Sequence, residues 1–257
     1  MHLVEAAMTG WGKSYQAQHL IFKNLPKHDY GVVLDFKDEY RGVVEGGAAD
    51  WWPVGSREVG LSVEQWEHLF RERSPKVVLP RYQLTSDQWQ EVAATVIQAM
   101  RNLDGTALVV LDEAHIVAPQ SGTVPTAVDE MATTGRGEGV SAIIVTQRPA
   151  KLDETQLAQS SARLFGGFTS DSDLDKVGGV IDYPQVTHNA LSGADSSPGE
   201  WRGTDLRPVR VFEDEQGNTV GSEWIYSDTS GNIERKDTRN VEMPAPHYGA
   251  DGTTIEV

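Results

Sequence analysis

Three runs of this 257-residue sequence carry side chains whose types and spacing suit the handling of a triphosphate. Ala7-Met-Thr-Gly-Trp-Gly-Lys13-Ser14 has the spacing of a phosphate loop, with Ala7 where the first glycine usually stands. Small residues there let the backbone N–H groups of Thr9, Gly10, Trp11 and Gly12 curl around phosphates, and the helix expected over Ser14 to Asn24 adds partial positive charge at its start. Lys13 would reach the β- and γ-phosphates, Ser14 would coordinate Mg2+, and Tyr15 would complete the nucleotide-binding set. A glycine-rich turn with a solvated lysine is the plain alternative, and the strand before and helix after the motif argue against it.

Ala107 to Leu111 is an unbroken apolar run ending in Asp112-Glu113, two carboxylates at the carboxyl end of a buried strand, where open α/β sheets bind ligands. Asp112 would hold Mg2+ through water, and Glu113 would orient and activate the water that attacks the γ-phosphate. Alone such a run is common; beside a phosphate loop it is a Walker B signature. A second apolar strand, Val140 to Val145, ends in Thr146-Gln-Arg-Pro149. Gln147 could bond both the γ-phosphate and the attacking water, or simply end a strand.

These tips need strands to carry them. His2 to Ala6, Gly31 to Phe36, Lys76 to Leu79, Ala107 to Leu111, Val140 to Thr146 and Arg163 to Phe168 are predicted strands, and helices alternate with them. Ser62 with Gln65, and Thr85 with Gln88, make capping boxes, and Gly105 follows the second helix as its stop. The expectation is an α/β domain with a doubly wound, mostly parallel sheet. After Pro198, alternating residues and turn signals (209–212, 214–218, 222–226, 230–232) suggest hairpin strands added at the sheet edge, followed from Met243 by a polar tail. The division expected is residues 1–212 and 213–257.

Composition narrows the partners. With 38 acidic against 22 basic side chains the formal charge is −16, which excludes a surface that clings everywhere to nucleic acid or anionic lipid. Only 8 of the basic residues are Lys. An acidic, Lys-poor surface fits a protein that stays hydrated in brine, or an ordinary acidic cytoplasmic one. The absence of cysteine excludes disulfides, thiolate metal sites and cysteine nucleophiles. No apolar run nears the roughly 20 residues of a bilayer span, so a soluble, cytoplasmic protein is expected.

Thr9-Gly-Trp-Gly-Lys-Ser14, Asp35-Phe-Lys-Asp-Glu39-Tyr40, Leu111-Asp-Glu-Ala-His115, Gly135-Arg-Gly-Glu-Gly139 and Thr146-Gln-Arg-Pro149 occur in the order found in HerA/FtsK DNA-translocating ATPases. The chain resembles that family over about residues 1–212. The resemblance implies a RecA/ASCE-like P-loop NTPase fold, ATP and Mg2+ as substrate and cofactor, double-stranded DNA as partner, and a homo-oligomer, a hexameric ring. It also implies an arginine finger donated to the neighbouring subunit; Arg136 matches it by position, with Arg148 and Arg163 as rivals and a DNA or surface contact as the other role. With the phosphate loop at residue 7, a motor without an amino-terminal barrel or membrane domain is expected. That form resembles the genome-packaging ATPases of haloarchaeal membrane-containing icosahedral viruses, acting in the host cytoplasm or with the virion, on capsid or portal partners. Cellular or plasmid HerA-like translocases, and ATPases that drive protein assembly or secretion without DNA, are the alternatives.

Some side chains stay open. Asp38 and Glu39 fall where the family carries an acidic pair near nucleotide, or are solvated loop charges. His115 is a packing or switch residue rather than a metal ligand. Trp66 and Trp89 are expected in the core, and Trp51 and Trp52 could stack on bases. Residues 120–134 and the loop around Trp51 are candidate ring-lumen segments, neither of them rich in basic residues.

Overall fold

Seven parallel strands build the centre of the sheet in the computed structural model, which describes residues 1–193 and 196–248. They are β1 (His2–Ala6), β2 (Tyr30–Asp35), β3 (Asp50–Trp51), β4 (Lys76–Pro80), β5 (Ala107–Leu111), β6 (Val140–Thr146) and β7 (Ala162–Phe165). A two-stranded ribbon, β8 (Glu200–Trp201) and β9 (Thr204–Asp205), stands apart, and β10 (Val211–Glu213), β11 (Thr219–Asp228) and β12 (Ile233–Asp237) finish the sheet. The order is β10-β11-β7-β1-β6-β5-β2-β4-β3, with β12 also on β11. β6 therefore lies between the strand that leads into the phosphate loop and the strand that ends in Asp112-Glu113.

Alternation along each strand divides the core between the two faces. Val4, Val32, Leu34, Val109 and Leu111 pack on one side against Trp66 and Trp89, which are fully buried as expected. Those tryptophans sit on α3 (Val63–Glu72) and α4 (Ser86–Arg101), each opened by its predicted capping box. Leu3, Val33, Leu108 and Val110 face the other way, onto α1 (Lys13–Asn24). Helices α2 (Arg41–Glu45), α5 (Thr126–Thr133), α6 (Glu154–Ala158) and α7 (Asp171–Gly178) complete the layers.

Three local expectations change. The strand expected to reach Phe168 stops at Phe165, because Gly166 and Gly167 lie flat against the Trp11 indole: a Cβ on either would come within 2.4 Å of the ring. Helix α4 ends at Arg101 with Asn102 as its cap, and Gly105, at φ +125°, turns the chain into β5 instead of ending the helix. The loop after β2 holds α2 and the edge strand β3, on which Trp51 is half-buried with Arg41 over its ring at 5.5 Å; Trp52 is also half-buried and packs on the core.

The carboxy-terminal strands are continuous with the rest. β11 pairs antiparallel with β7, and Trp224 and Ile225 are fully buried in the α1-side core. Residue 213, where the second segment was expected to start, belongs to β10. Of the expected polar tail, 249–257 lies outside the described residues.

Candidate functional site

The phosphate loop is shaped by two left-handed glycines, Gly10 and Gly12, both at φ +81°. Nothing lies within 4 Å of a Cβ built on Gly10, so backbone conformation and not crowding requires glycine there. Trp11 between them turns inward: its indole is 2% exposed and donates to the Glu223 carbonyl at 3.0 Å. Ser222 Oγ donates back to the Trp11 carbonyl at 2.7 Å, so β11 clamps the loop from the side. Trp11 can thus offer a phosphate only its backbone.

The strand order brings the other tips alongside. Ala6 is opposite Thr146 across β1 and β6, and Leu111 is opposite Ile144 across β5 and β6. Gln147 thereby stands over the loop, where its Oε1 accepts from Thr9 Oγ1 at 2.6 Å, leaving its amide N–H groups for a ligand. Thr9, Gly10, Gly12, Lys13, Ser14 and Tyr15 line one cleft of about 680 Å³ with Gln147, Lys37 and Glu39, closed on the far side by β11, Arg239 and His247.

Three carboxylates are buried at or near the strand ends: Glu5 on β1, Asp35 at the end of β2, and Asp112. Burial pushes the Glu5 carboxyl well up, opposed by the Lys13 charge, and Asp112 is likewise raised by burial and by the neighbouring charges of Asp35 and Glu113. Asp35 is pushed up to about 7 by burial, although the N–H groups of Glu39 and Tyr40 donate to it at 3.0 and 3.1 Å. The Lys13 charge opposes the rise in both Glu5 and Asp112.

Glu113 has a left-handed backbone, φ +46°, and its carboxylate is paired with Lys37 and lies 3.3 Å from His115 Nδ1. That ring also contacts Thr146 Oγ1 at 3.1 Å, so His115 bridges the β5 and β6 tips through side chains.

A divalent cation fits this arrangement with few protein ligands. Among the described residues no three His, Asp or Glu side chains gather into a cage. Asp112 Oδ2 is buried without a partner among the described residues, and Ser14 lines the cleft. A single carboxylate and a hydroxyl, completed by water and phosphate oxygens, is the environment Mg2+ accepts.

Other expected residues lie elsewhere. Arg136 is exposed in the turn after α5, and its charge acts on the Met1 amino group and on His2, at the opening of β1 and far from the loop that closes it. No acidic side chain among the described residues pairs with it. Arg148 pairs with Asp173 at 3.3 Å, and Arg163 is a strand residue of β7. Asp38 pairs with Arg41 at the surface, so of the expected acidic pair Glu39 alone lines the cleft.

Glu5, Lys37, Asp35 and His247 are the participants that motif spacing did not single out. Glu5 alone had a visible signal, a lone carboxylate inside an apolar strand. Lys37 and Asp35 were inside a quoted motif without a role of their own. His247 is 233 residues from its partner Ser14, beyond the reach of any local pattern.

No protein-family model matches the sequence. A DNA double-strand break repair helicase HerA from Pyrococcus furiosus is 31% identical over 93 residues, which is 35% of this chain and 17% of that one. The chain thus matches about a sixth of that relative's length. The genome packaging NTPase B204 of Sulfolobus turreted icosahedral virus 2, solved with ATPγS, superposes with a TM-score of 0.59 at 16% identity, covering 91% of this chain and 95% of that one. VirB4 of Thermoanaerobacter pseudethanolicus gives a TM-score of 0.58 at 11% identity, covering 91% and 88%. The chain has the P-loop NTPase fold, a mixed α/β architecture on a large, mostly parallel sheet.

Proposed function

We propose that the chain is an ATPase of the HerA/FtsK type which, as a ring, moves double-stranded DNA, and that its task is packaging a viral genome. What carries the proposal is the convergence of Lys13, Ser14, Gln147 and Lys37 on one cleft, with Lys37 paired to Glu113, the Lys13 charge acting on Asp112, and one strand inserted between loop and tip. The likeness to a packaging NTPase over nine-tenths of both chains supports the finer role, as does the order of the five motifs.

In this mechanism the N–H groups of the loop donate to the phosphate oxygens of ATP, and Lys13 neutralises charge on the β- and γ-groups. Mg2+, held by Ser14 and through water by Asp112, would supply further neutralisation of those oxygens. Gln147 aligns a water with an amide N–H, and Glu113 takes its proton as the oxygen attacks phosphorus and ADP leaves. Arg136 of one subunit steadies the departing charge in the next, a contribution worth about a thousandfold or more. Its position away from its own loop suits a residue that acts in trans. The −16 charge is compatible with DNA contact confined to a ring lumen, and together with 8 Lys it suits work at high salt.

The local match to a repair helicase supports a second role, translocation in repair or conjugation. Capsid genes beside the coding sequence favour packaging, and nuclease genes favour repair. One measurement tests the shared core: ATP turnover in molar salt with and without duplex DNA, together with native mass. Turnover stimulated by DNA in an assembly larger than a monomer is expected; turnover indifferent to DNA would move the chain to motors that act on protein.

A further inference from the structure

The segment 241–248 is seated across α1 and α2 by contacts that leave little freedom. Tyr15 Oη donates to the Val241 carbonyl at 3.2 Å, Gln18 Nε2 to the Pro246 carbonyl at 3.0 Å, and Tyr248 Oη to Glu45 at 2.6 Å. Two glycines of the α2 turn make the seat. A Cβ on Gly42 would lie 1.9 Å from the Pro246 carbonyl, and one on Gly46 would lie 3.1 Å from Ala245 Cβ. Glycine is a poor choice within a helix, and its presence at Gly42 follows from the need for close approach; Gly46, at the helix's C-cap, is crowded first by the Phe22 ring at 2.7 Å.

The seat delivers the imidazole of His247 to the phosphate loop. Its Nε2 is 3.2 Å from Ser14 Oγ, its Nδ1 is 3.1 Å from Gln18 Oε1, and the edge of its ring meets Tyr15 with centroids 5.6 Å apart. The direction of each hydrogen bond can be worked out from the far end. The Pro246 carbonyl only accepts, so the Gln18 amide must turn its NH2 toward it and its Oε1 toward His247. Nδ1 must then carry the proton. Nε2 is left bare and accepts from the Ser14 hydroxyl, whose proton is thereby drawn away from its remaining lone pairs.

Given the nucleotide reading of the cleft, on which this rests, we infer that His247 is a positioning residue for Mg2+: it fixes Ser14 as a donor and so presents the hydroxyl lone pairs to the cation. A hydroxyl free to rotate would offer its hydrogen to the metal part of the time. An acceptor behind it also makes the oxygen more basic, as second partners do for other metal ligands. The final described turn of the chain is thus part of the nucleotide site, reaching it from outside every motif.

The test is equilibrium binding of a fluorescent, non-hydrolysable ATP analogue to the full chain, titrated with Mg2+ and repeated in EDTA. His247→Phe keeps the ring's bulk and its contact with Tyr15 but has no nitrogen to accept from Ser14. It should raise the Mg2+ midpoint about tenfold, the lower end of what losing a second partner costs a metal site, and leave binding in EDTA unchanged. His247→Gln can return an acceptor near Nε2 and should recover most of the loss. An unchanged midpoint in His247→Phe overturns the inference. Equal weakening with and without Mg2+ also overturns it, since that is a merely structural role, and so does tighter binding in both, which would make the tail a competitor of nucleotide. If the wild-type chain binds no analogue in either condition, the nucleotide reading itself falls and takes this with it.

Discussion

Lys37, in the loop after β2, forms an ion pair with Glu113 at the tip of β5, and the carboxylate it holds is only 2% exposed. Burial works to lower the pKa of Lys37, but the hydrogen bond and charge of Glu113 hold it above its ordinary value. An ammonium-bound carboxylate is a poor base. The left-handed backbone of Glu113 adds strain of the sort kept at working sites.

Removing the ammonium should therefore separate stability from turnover. Lys37→Met leaves a buried carboxylate uncompensated and is expected to cost about 1–3 kcal/mol, less than a fully buried pair because Lys37 is one-third exposed. Basal ATP turnover per folded chain should rise. Glu113→Gln should bind ATP and not hydrolyse it. Melting temperatures and steady-state turnover read both effects, and a Lys37→Met chain unchanged in each would mean the pair holds nothing back.

Trp11 anchors the loop through its indole, and the glycines under it leave no tolerance. Gly167→Ala places a methyl group 2.3 Å from the ring, so the indole or the backbone must move. A loss of roughly 1–3 kcal/mol is expected from overpacking, with weaker nucleotide binding because the same shift drags the loop. Thermal melting beside nucleotide titration checks this; normal stability would show that the ring has room to slide.

Much of this architecture was legible because it is local or periodic. Apolar runs of four to seven residues gave six of the seven parallel strands, the two-residue β3 having no such run, and Ser62 with Gln65 and Thr85 with Gln88 announced two helices through contacts three residues apart. The phosphate loop and the β5 tip were legible for the same reason. Long-range partners left no such trace. Nothing near Trp11 says that Glu223 will accept from it, nor does anything near Lys37 say that Glu113 will be its partner. Even Gly166-Gly167, visible as glycines, disclose their purpose only once Trp11 is above them.

Arg136 offers a prediction that depends on which subunit it serves. Arg136→Ala should form rings yet hydrolyse ATP on the order of a thousandfold more slowly. Mixing it with Glu113→Gln subunits should restore part of the activity, because a site with an intact Glu113 then meets a neighbour with an intact Arg136. Neither variant can rescue the other if the arginine acts within its own chain. Full activity of Arg136→Ala alone would remove the finger assignment.

Two buried groups should pull stability in opposite directions with pH. His188 is fully buried, donates from Nδ1 to the Gly166 carbonyl at 2.8 Å and accepts from Tyr183 Oη at 2.9 Å; burial, against the Gly166 bond, lowers its pKa to about 4. The unfolded chain then binds more protons than the native one between about pH 4 and 6.5, so stability rises with pH across that window. Asp35, pushed up to about 7, binds a proton in the native state that the unfolded chain has lost, and its contribution falls as pH rises from about 4 to 7. In denaturant titrations at pH 4.5 and 7.5, His188→Gln should therefore gain relative to wild type at the acid end. Asp35→Asn should gain at the neutral end. The two full spans are worth at most roughly 3 and 4 kcal/mol. Both variants also lose native hydrogen bonds, so the pH dependence of each difference is the readout and not its size at one pH. A difference that stays flat across the range for either variant would show that its group does not change proton occupancy on folding.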